Sequence, residues 1–244
     1  MCLASVNLIL FEPAETTTPL PRNDPRATHI LKVLRRRVGD TFDAGLADGP
    51  LGKGTLAAIH ADTLSLTFCW HQTPPPPLDP ITLIIGLPRP QTARDLLRDA
   101  AALGVAELHF VTTDRGESSY AQSTLWSSGE WRHHLLAGAQ QAFDTRLPAL
   151  THGRTLAEAL AAVPPASSRL ALDNYESPTA LSQVAALALP VTLALGPERG
   201  WSAAERDQLR ASGFSLVHLG TRVLRAETAA IAALAIVRSK LGLM

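Results

Sequence analysis

Two glycine-bounded segments in the last third of the chain have the residue types of a ligand-binding edge. Val191–Leu195 is an apolar run of strand length that leads into Gly196-Pro197-Glu198-Arg199-Gly200. Phe214–Leu219 is a second such run, and it leads into the segment GTRVLRAET, residues 220–228. Loops that leave the carboxyl ends of strands in an open parallel sheet form the edge at which such sheets bind ligands. These two loops are therefore the first candidates for chemistry.

The two loops carry residues that could contact a cationic ligand and an anionic one. Glycines let backbone groups approach a ligand closely, and Glu198 would supply negative charge to a cationic ligand or orient its loop. Arg222 and Arg225 can hold phosphates in forked geometry, while Glu227 complements the dipole of the helix it begins. The alternatives are an ordinary strand-to-helix turn at Gly196–Gly200 and a surface ion pair of little energetic value. The matching context of the second loop favours the ligand site.

The elements that must position these loops are also readable. Ser202 and Glu205 have the spacing of a capping box, which predicts a helix that begins after Ser202 and ends before Gly213. Upstream, apolar runs alternate with helical patterns, which is typical of a doubly wound parallel α/β sheet. The predicted strands are Ile81–Leu87, Val105–Val111, Arg169–Leu172, Val191–Leu195 and Phe214–Leu219. The predicted helices are Thr92–Leu103, Gln122–Phe143, Thr155–Val163, Pro178–Leu187, Ser202–Ser212 and Glu227–Lys240.

The first part of the chain has a different pattern of predicted elements. Short, partly alternating segments within residues 1–73 predict a small barrel or curled sheet, with one helix near Pro25–Val33 that Asp24 caps. Four consecutive prolines at Pro74–Pro77 indicate a semi-rigid spacer. We therefore expect a β-rich domain at 1–73, a linker at 74–80 and an α/β domain at 81–244.

Composition bounds the function classes. The formal net charge is zero, so the composition does not indicate a strongly basic domain that binds nucleic acid. A local basic cluster at Lys32, Arg35, Arg36 and Arg37 is either a solvated face or a phosphate contact. Two cysteines without zinc spacing predict no metal site and a reducing, cytoplasmic location. No apolar run reaches the roughly 18 residues of a membrane span, so we expect no membrane partner. Residues 1–11 are interpreted as a first strand.

The paired segments GPERGWSAAE (196–205) and LGTRVLRAETAA (219–230) resemble the signature of SPOUT-class RNA methyltransferases. They are most similar to the family that methylates N3 of a uridine in small-subunit (16S) ribosomal RNA. HILKVLRRRVGD (29–40) resembles the amino-terminal signature of the same family. The resemblance implies a PUA-like RNA-binding barrel followed by a SPOUT domain with a C-terminal trefoil knot. It also implies a homodimer that uses S-adenosylmethionine on 16S ribosomal RNA or the small ribosomal subunit.

The resemblance assigns roles to residues of this sequence. The cofactor would lie in the two loops, with an apolar slot for adenine, against Leu195, Gly196, Pro197, Glu198, Gly200, Leu219, Gly220, Val223, Leu224, Glu227 and Thr228. RNA would contact Lys32, Arg35, Arg36, Arg37 and Arg222. Arg225 is the candidate catalytic cation, and Glu198 is the second catalytic candidate.

Several positions depart from the family pattern. Arg199 stands where the family usually has glycine, and Gln140 and Asp144 replace an acidic and a basic residue. Two alternatives therefore stay open: a SPOUT methyltransferase with another RNA target, and a non-catalytic RNA-binding or ribosome-assembly protein that kept the fold.

Overall fold

The computed structural model describes residues 7–163 and 168–244. Its chain divides into two compact units. The first unit comprises Met1–Pro77 together with Leu136–Leu147, and the second comprises Leu78–Leu135 together with Pro148–Met244.

The first unit is built on a five-stranded sheet with the order β1-β3-β4-β5-β2. Its strands are β1 (Ile9–Phe11), β2 (Leu20–Pro21), β3 (Thr41–Leu46), β4 (Leu51–Ile59) and β5 (Thr63–Trp70). The β3-β4-β5-β2 pairs are antiparallel and β1 pairs in parallel with β3. The β-rich character predicted for this part is confirmed, although residues 1–6 of the expected first strand lie outside the described ranges.

One helical segment covers the core of this sheet. Helix α1 (Pro25–Thr28) continues as a π-helical turn over His29–Val33. The Asp24 side chain accepts a hydrogen bond from the backbone N–H of Arg26 at 2.8 Å, so the predicted cap is confirmed. Ala27 and Ile30 are fully buried in one cluster with Phe11, Phe42 and Leu56.

The second unit contains a seven-stranded sheet with the order β10-β12-β9-β11-β6-β7-β8, in which every pair is parallel. Its strands are β6 (Asp79–Gly86), β7 (Val105–Thr112), β8 (Ala149–Thr155), β9 (Ser168–Leu172), β10 (Thr179–Ala180), β11 (Val191–Leu195) and β12 (Ser215–His218). Because all strands are parallel, their carboxyl ends meet at one edge.

The helices of this unit are α2 (Pro90–Ala102), α3 (Thr124–Ser127), α5 (Leu156–Ala162), α6 (Ala203–Ala211) and α7 (Ala226–Leu241). Helix α4 (Glu130–Gln141) begins in this unit and ends in the first. Ile84 and Ala194 cluster with Leu160 of α5 and Leu209 of α6. Side chains alternate between the two faces of a strand, so the equally buried Leu83 belongs to the opposite face, and both faces are covered. Helices α2 and α7 pack against each other.

Two expectations about elements are wrong and one strand was not predicted, each for a physical reason. The helix predicted over Gln122–Phe143 is interrupted at Gly129, whose φ of +76° is not helical. The helix predicted over Pro178–Leu187 is absent from this described segment, because Thr179 and Ala180 pair with β12 and a 3-10 turn follows. Strand β8 was not predicted, because an edge strand with a polar sequence lacks the apolar run of its neighbours.

Candidate functional site

Three loops at the carboxyl edge of the parallel sheet surround one cavity of about 290 Å³. β9 lies between β11 and β12 in the sheet, so the loops that follow these three strands are neighbours. The loop after β11 is Gly196–Gly200, and the loop after β12 runs from residue 219 to 225. The third loop, residues 173–177, follows β9. We call this cavity the loop cavity.

Most of the residues assigned to a cofactor line the loop cavity. They are Leu195, Gly196, Pro197, Glu198, Gly200, Leu219, Gly220, Val223 and Leu224. Glu227 and Thr228 lie in the first turn of α7, where Ala226 and Ala229 line the cavity instead. Both glycine-bounded segments found in the sequence therefore converge on one concave site.

Sequence reasoning missed the third loop. Leu172, Asp173, Asn174 and Tyr175 also line the loop cavity. The predicted strand Arg169–Leu172 carried the signal, because its carboxyl end had to share the edge with the other two loops.

The loop Gly196–Gly200, which we call the glycine loop, is tight at its two glycines. A Cβ on Gly196 would lie 3.2 Å from backbone atoms of Gly200 and Trp201, and Gly200 has a φ of +67°. Within the described residues, the non-glycine positions with positive φ are Arg35, Asp48 and Phe143. Arg199 is not among them, so its backbone accepts a side chain where the family usually has glycine.

The capping box behind the loop is confirmed and extends to a further element. The Ser202 hydroxyl accepts from the Glu205 backbone N–H at 3.1 Å, and Glu205 accepts from the Ser202 N–H at 2.7 Å. The other Glu205 oxygen accepts from the Asp114 N–H at 2.8 Å. Trp201 is fully buried and donates to the carbonyl oxygen of Leu172 at 3.0 Å. These bonds fix the glycine loop to the ends of β7 and β9.

A buried ion pair shapes the loop after β9. Arg206 Nε donates to Asp173 Oδ2 at 2.7 Å, and the side chains are 6% and 1% exposed. Burial alone raises the pKa of Asp173, but hydrogen bonds from Arg206 and from the backbone N–H groups of Glu176 and Tyr175 outweigh burial and hold that pKa below its ordinary value. Asp173 is therefore an ionised carboxylate whose hydrogen bonds hold its own loop.

Exposed arginines surround the mouth of the loop cavity. Arg199 and Arg222 line it, and Arg225 lies between the lining residues Leu224 and Ala226. Arg115 donates to the carbonyl oxygen of Arg199 at 3.3 Å. No carboxylate pairs with these guanidinium groups in the described part of the chain. Their charge is therefore available to an anionic partner.

The predicted basic cluster of the first unit is exposed throughout. Lys32 lies in the π-helical turn, and Arg35, Arg36 and Arg37 follow it. None of these four side chains forms an ion pair with a described residue. Val33 follows Lys32 and Val38 follows Arg37, and these two valines are 61% and 57% exposed. We call residues 32–38 the basic loop.

The departures at positions 140 and 144 have structural roles in the first unit. Gln140 Oε1 accepts from the backbone N–H of Leu10 at 2.8 Å. Asp144 Oδ1 accepts from the N–H groups of Thr145 and Arg146. Both side chains therefore hold backbone segments of the first unit.

The His, Cys, Asp and Glu side chains of residues 7–163 and 168–244 form no cluster of three that could hold a metal ion. None of their helices is long and apolar enough to cross a membrane.

Comparison with known families gives one domain match. A model of an RNA methyltransferase domain matches residues 74–238. Ribosomal RNA small subunit methyltransferase E of Treponema pallidum is 35% identical over 95% of this chain and 90% of its own length. Ribosomal RNA small subunit methyltransferase E 1 of Borreliella burgdorferi is 30% identical over 97% of this chain and 99% of its own length.

Solved structures share the fold over nearly the whole chain. Ribosomal RNA small subunit methyltransferase E from Neisseria gonorrhoeae, bound to S-adenosyl methionine, superposes with a TM-score of 0.79 at 22% identity and covers 96% of this chain and 98% of its own. A probable rRNA-methyltransferase from Porphyromonas gingivalis gives a TM-score of 0.78 at 21% identity and covers 96% and 99%.

Proposed function

The chain belongs to the RNA methyltransferase family that includes ribosomal RNA small subunit methyltransferase E, and we propose that it methylates N3 of a uridine in small-subunit (16S) ribosomal RNA. Its methyl donor is S-adenosylmethionine and its acceptor is ribosomal RNA. The choice of N3 and of uridine rests on the likeness of the two loop segments to that signature. One observation carries the proposal: both segments line the same cavity.

The residues of the loop cavity fit the donor. Leu195, Leu219 and Leu224 supply apolar walls for a flat ring, and backbone groups of the glycine loop are free to read its edge. Glu198 supplies negative charge near a cationic ligand. The volume of about 290 Å³ is at the lower end of the range for small-molecule sites, and the lining includes Arg199 and Arg222.

The chemistry requires little covalent participation by the chain. Bound S-adenosylmethionine supplies an electrophilic methyl group on its sulfonium sulfur. Uracil N3 must lose its proton, for which water is the acceptor, before or while the N3–carbon bond forms and the carbon–sulfur bond of the donor breaks. We assign to Arg225 the stabilisation of the uracil anion through O2 or O4, because a cation aimed at developing charge lowers such a barrier. Glu198 keeps the donor loop in position, and proximity contributes the remainder.

Several arginines and the basic loop suit the acceptor. Arg199, Arg222 and Arg225 would contact RNA at the mouth of the loop cavity. Lys32, Arg35, Arg36 and Arg37 would neutralise phosphates elsewhere on the RNA, which is the main source of affinity for nucleic acid. The neutral total charge hides both groups, because acids elsewhere balance them.

The finer architecture is part of the same proposal. We assign residues 1–73 to a PUA-like RNA-binding barrel, 74–80 to a linker and 81–244 to a SPOUT domain whose last loops form a trefoil knot. The exposed Ile231 on α7, 41% accessible, suits a homodimer built on that helix. A ribosomal substrate places the protein in the cytoplasm.

Calorimetric titration tests the donor site directly. Purified protein is titrated with S-adenosylmethionine and with S-adenosylhomocysteine, and ATP is the control ligand. The proposal predicts saturable micromolar binding of the first two and none of ATP. A folded protein that binds neither, with or without small ribosomal subunits present, would refute the proposal and favour a non-catalytic RNA-binding protein.

A further inference from the structure

The loop after β9 is held rigidly around the buried Asp173. Its Oδ1 accepts hydrogen bonds from the backbone N–H groups of Tyr175 at 2.8 Å and Glu176 at 2.6 Å. Its carbonyl oxygen accepts from the Ser177 hydroxyl at 2.5 Å. The Asp173 side chain and carbonyl group therefore bond to Tyr175, Glu176 and Ser177, which restrains the loop.

Arg206 of α6 holds this loop in place. Its Nε bonds to Asp173, and its guanidinium carbon lies 5.2 Å from the centre of the Tyr175 ring. Arg206 Nη1 also donates to Glu176 Oε1 at 3.3 Å. A cation at this distance from a ring attracts it and restrains its orientation. Tyr175 is thus held at a defined place although it contributes little to the core.

Tyr175 stands at the mouth of the loop cavity with most of its surface open. It is 74% exposed and lines the cavity. A Cβ on Gly200 would lie 3.6 Å from Tyr175 Cε2, so the ring is next to the outer end of the glycine loop. The apolar walls of the cavity, by contrast, include the buried Leu195. A ring exposed to this extent lies outside the slot that encloses the donor.

We propose that Tyr175 is a stacking platform for the uracil base that receives the methyl group. Resting on the proposed function, this inference names the contact that holds the acceptor base beside the donor. A base inside structured RNA must leave its stack to reach a pocket, and enzymes that act on such a base hold it against aromatic or apolar side chains. The unpaired Arg199 and Arg222 at the same mouth are placed to hold the flanking phosphates.

The exposure of Tyr175 and the bonds that hold its loop argue against two other roles for the ring. An adenine platform would be enclosed with the donor, and Tyr175 is mostly open. A core residue would be buried, and the ring instead projects from a loop whose own bonds do not involve it. Preorganisation by Asp173 and Arg206 lowers the entropy lost when a base stacks.

Binding of two oligoribonucleotides tests the platform without relying on catalysis. Fluorescein-labelled hexauridylate and an abasic hexaribonucleotide with the same phosphates are titrated into the protein with S-adenosylhomocysteine present. The wild type should prefer hexauridylate, and Tyr175→Ala should reduce that preference by about five-fold to 150-fold, the value of one base stacked on a ring. Tyr175→Phe keeps the ring and should recover the preference.

Three outcomes would overturn the inference. The first is equal affinity of the wild type for the two oligonucleotides, and the second is an undiminished preference in Tyr175→Ala. The third is a loss of S-adenosylhomocysteine affinity in Tyr175→Ala, which would move the ring to the donor site. Methyl transfer to small ribosomal subunits is measured on the same wild-type sample, so a failure of the proposed activity is seen separately from a failure of stacking.

Discussion

The carboxylate of Glu198 accepts a hydrogen bond from the backbone N–H of Arg89, 2.9 Å away and 109 residues distant in the chain. Arg89 is the N-cap residue of α2, and its own side chain caps nothing. Glu198 therefore satisfies an amide at a helix start and complements the helix dipole there. This bond ties the glycine loop of the loop cavity to the start of α2.

The bond predicts how Glu198 variants behave. Glu198→Ala should weaken S-adenosylhomocysteine binding by about five-fold to tenfold, because one hydrogen bond at an exposed site is lost. Glu198→Gln keeps an acceptor oxygen and should lose less affinity while retaining kcat. Calorimetry and single-turnover methyl transfer measure the two quantities. A Gln variant with intact affinity and a kcat lowered a hundredfold would instead make Glu198 the general base.

A second prediction concerns Gly86 at the end of β6. A Cβ at this position would lie 2.6 Å from Cδ and 2.7 Å from the backbone nitrogen of Pro197. Gly86→Ala must therefore displace the glycine loop, and we expect at least a tenfold loss of donor affinity, about 1.4 kcal/mol. Gly153→Ala is the matched control, because it introduces strain at a φ of +80° with nothing within 4 Å. Equal affinities in the two variants would contradict the prediction.

Whether a feature of the site could be predicted from the sequence depends on how many residues separate the groups that interact. The capping box of Ser202 and Glu205 spans three residues, so its signal was complete in the sequence. The Asp173–Arg206 pair spans 33 residues and carries no local pattern. Tyr175 was missed for this reason, since only the fold places it beside the glycine loop.

Tertiary pairing explains the wrong and missing elements. Alanine and leucine favour a helix over Pro178–Leu187, yet β12 offers an unpaired edge that Thr179 and Ala180 occupy. Strand β8 forms because β7 has a free edge, not because Thr151–Thr155 reads as a strand. The knot stays a prediction from the resemblance, because chain crossing leaves no periodicity in a sequence.

The basic loop should contribute a measurable salt dependence. Arg36→Ala should reduce the slope of log affinity against log salt by about 0.7 to 0.9, the value of one phosphate contact. Lys53→Ala is the control, because Lys53 Nζ already pairs with Asp43 at 2.6 Å in the same unit. The slope is measured by filter binding of a small-subunit ribosomal RNA transcript between 50 and 200 mM salt.

An unchanged slope in Arg36→Ala, or an equal change in Lys53→Ala, would return the basic loop to a solvated surface. If each side chain holds one phosphate, combining the Ala substitutions at Lys32, Arg35, Arg36 and Arg37 should reduce the salt slope about four times as much as Arg36→Ala alone.

Stability should depend on pH through Asp173. Its pKa is held below the ordinary value, so its ionised form stabilises the fold above about pH 4, and that stabilisation is lost as the pH falls through the lowered pKa. Asp173→Asn removes the titrating group and leaves Arg206 partly uncompensated. At pH 7 we expect the variant to be about 3 kcal/mol less stable.

Urea unfolding at pH 7, 5 and 3.5 checks this prediction. The difference between wild type and Asp173→Asn should be similar at pH 7 and 5 and should shrink at pH 3.5, because the Asp173 carboxyl of the unfolded wild-type chain binds a proton there more readily than that of the folded chain. A difference that stays constant over this range would show that Asp173 acts through packing and not through its charge.

Nucleoside analysis of the methylated product tests the central claim most directly. Small ribosomal subunits from a strain that lacks this protein are incubated with the purified enzyme and S-adenosylmethionine, and the ribosomal RNA is digested and analysed by mass spectrometry. The account predicts 3-methyluridine with the wild type and at least a hundredfold less with Arg225→Ala, whereas Arg154→Ala, an exposed arginine on β8, should match the wild type. A different methylated nucleoside, or full activity in Arg225→Ala, would contradict it.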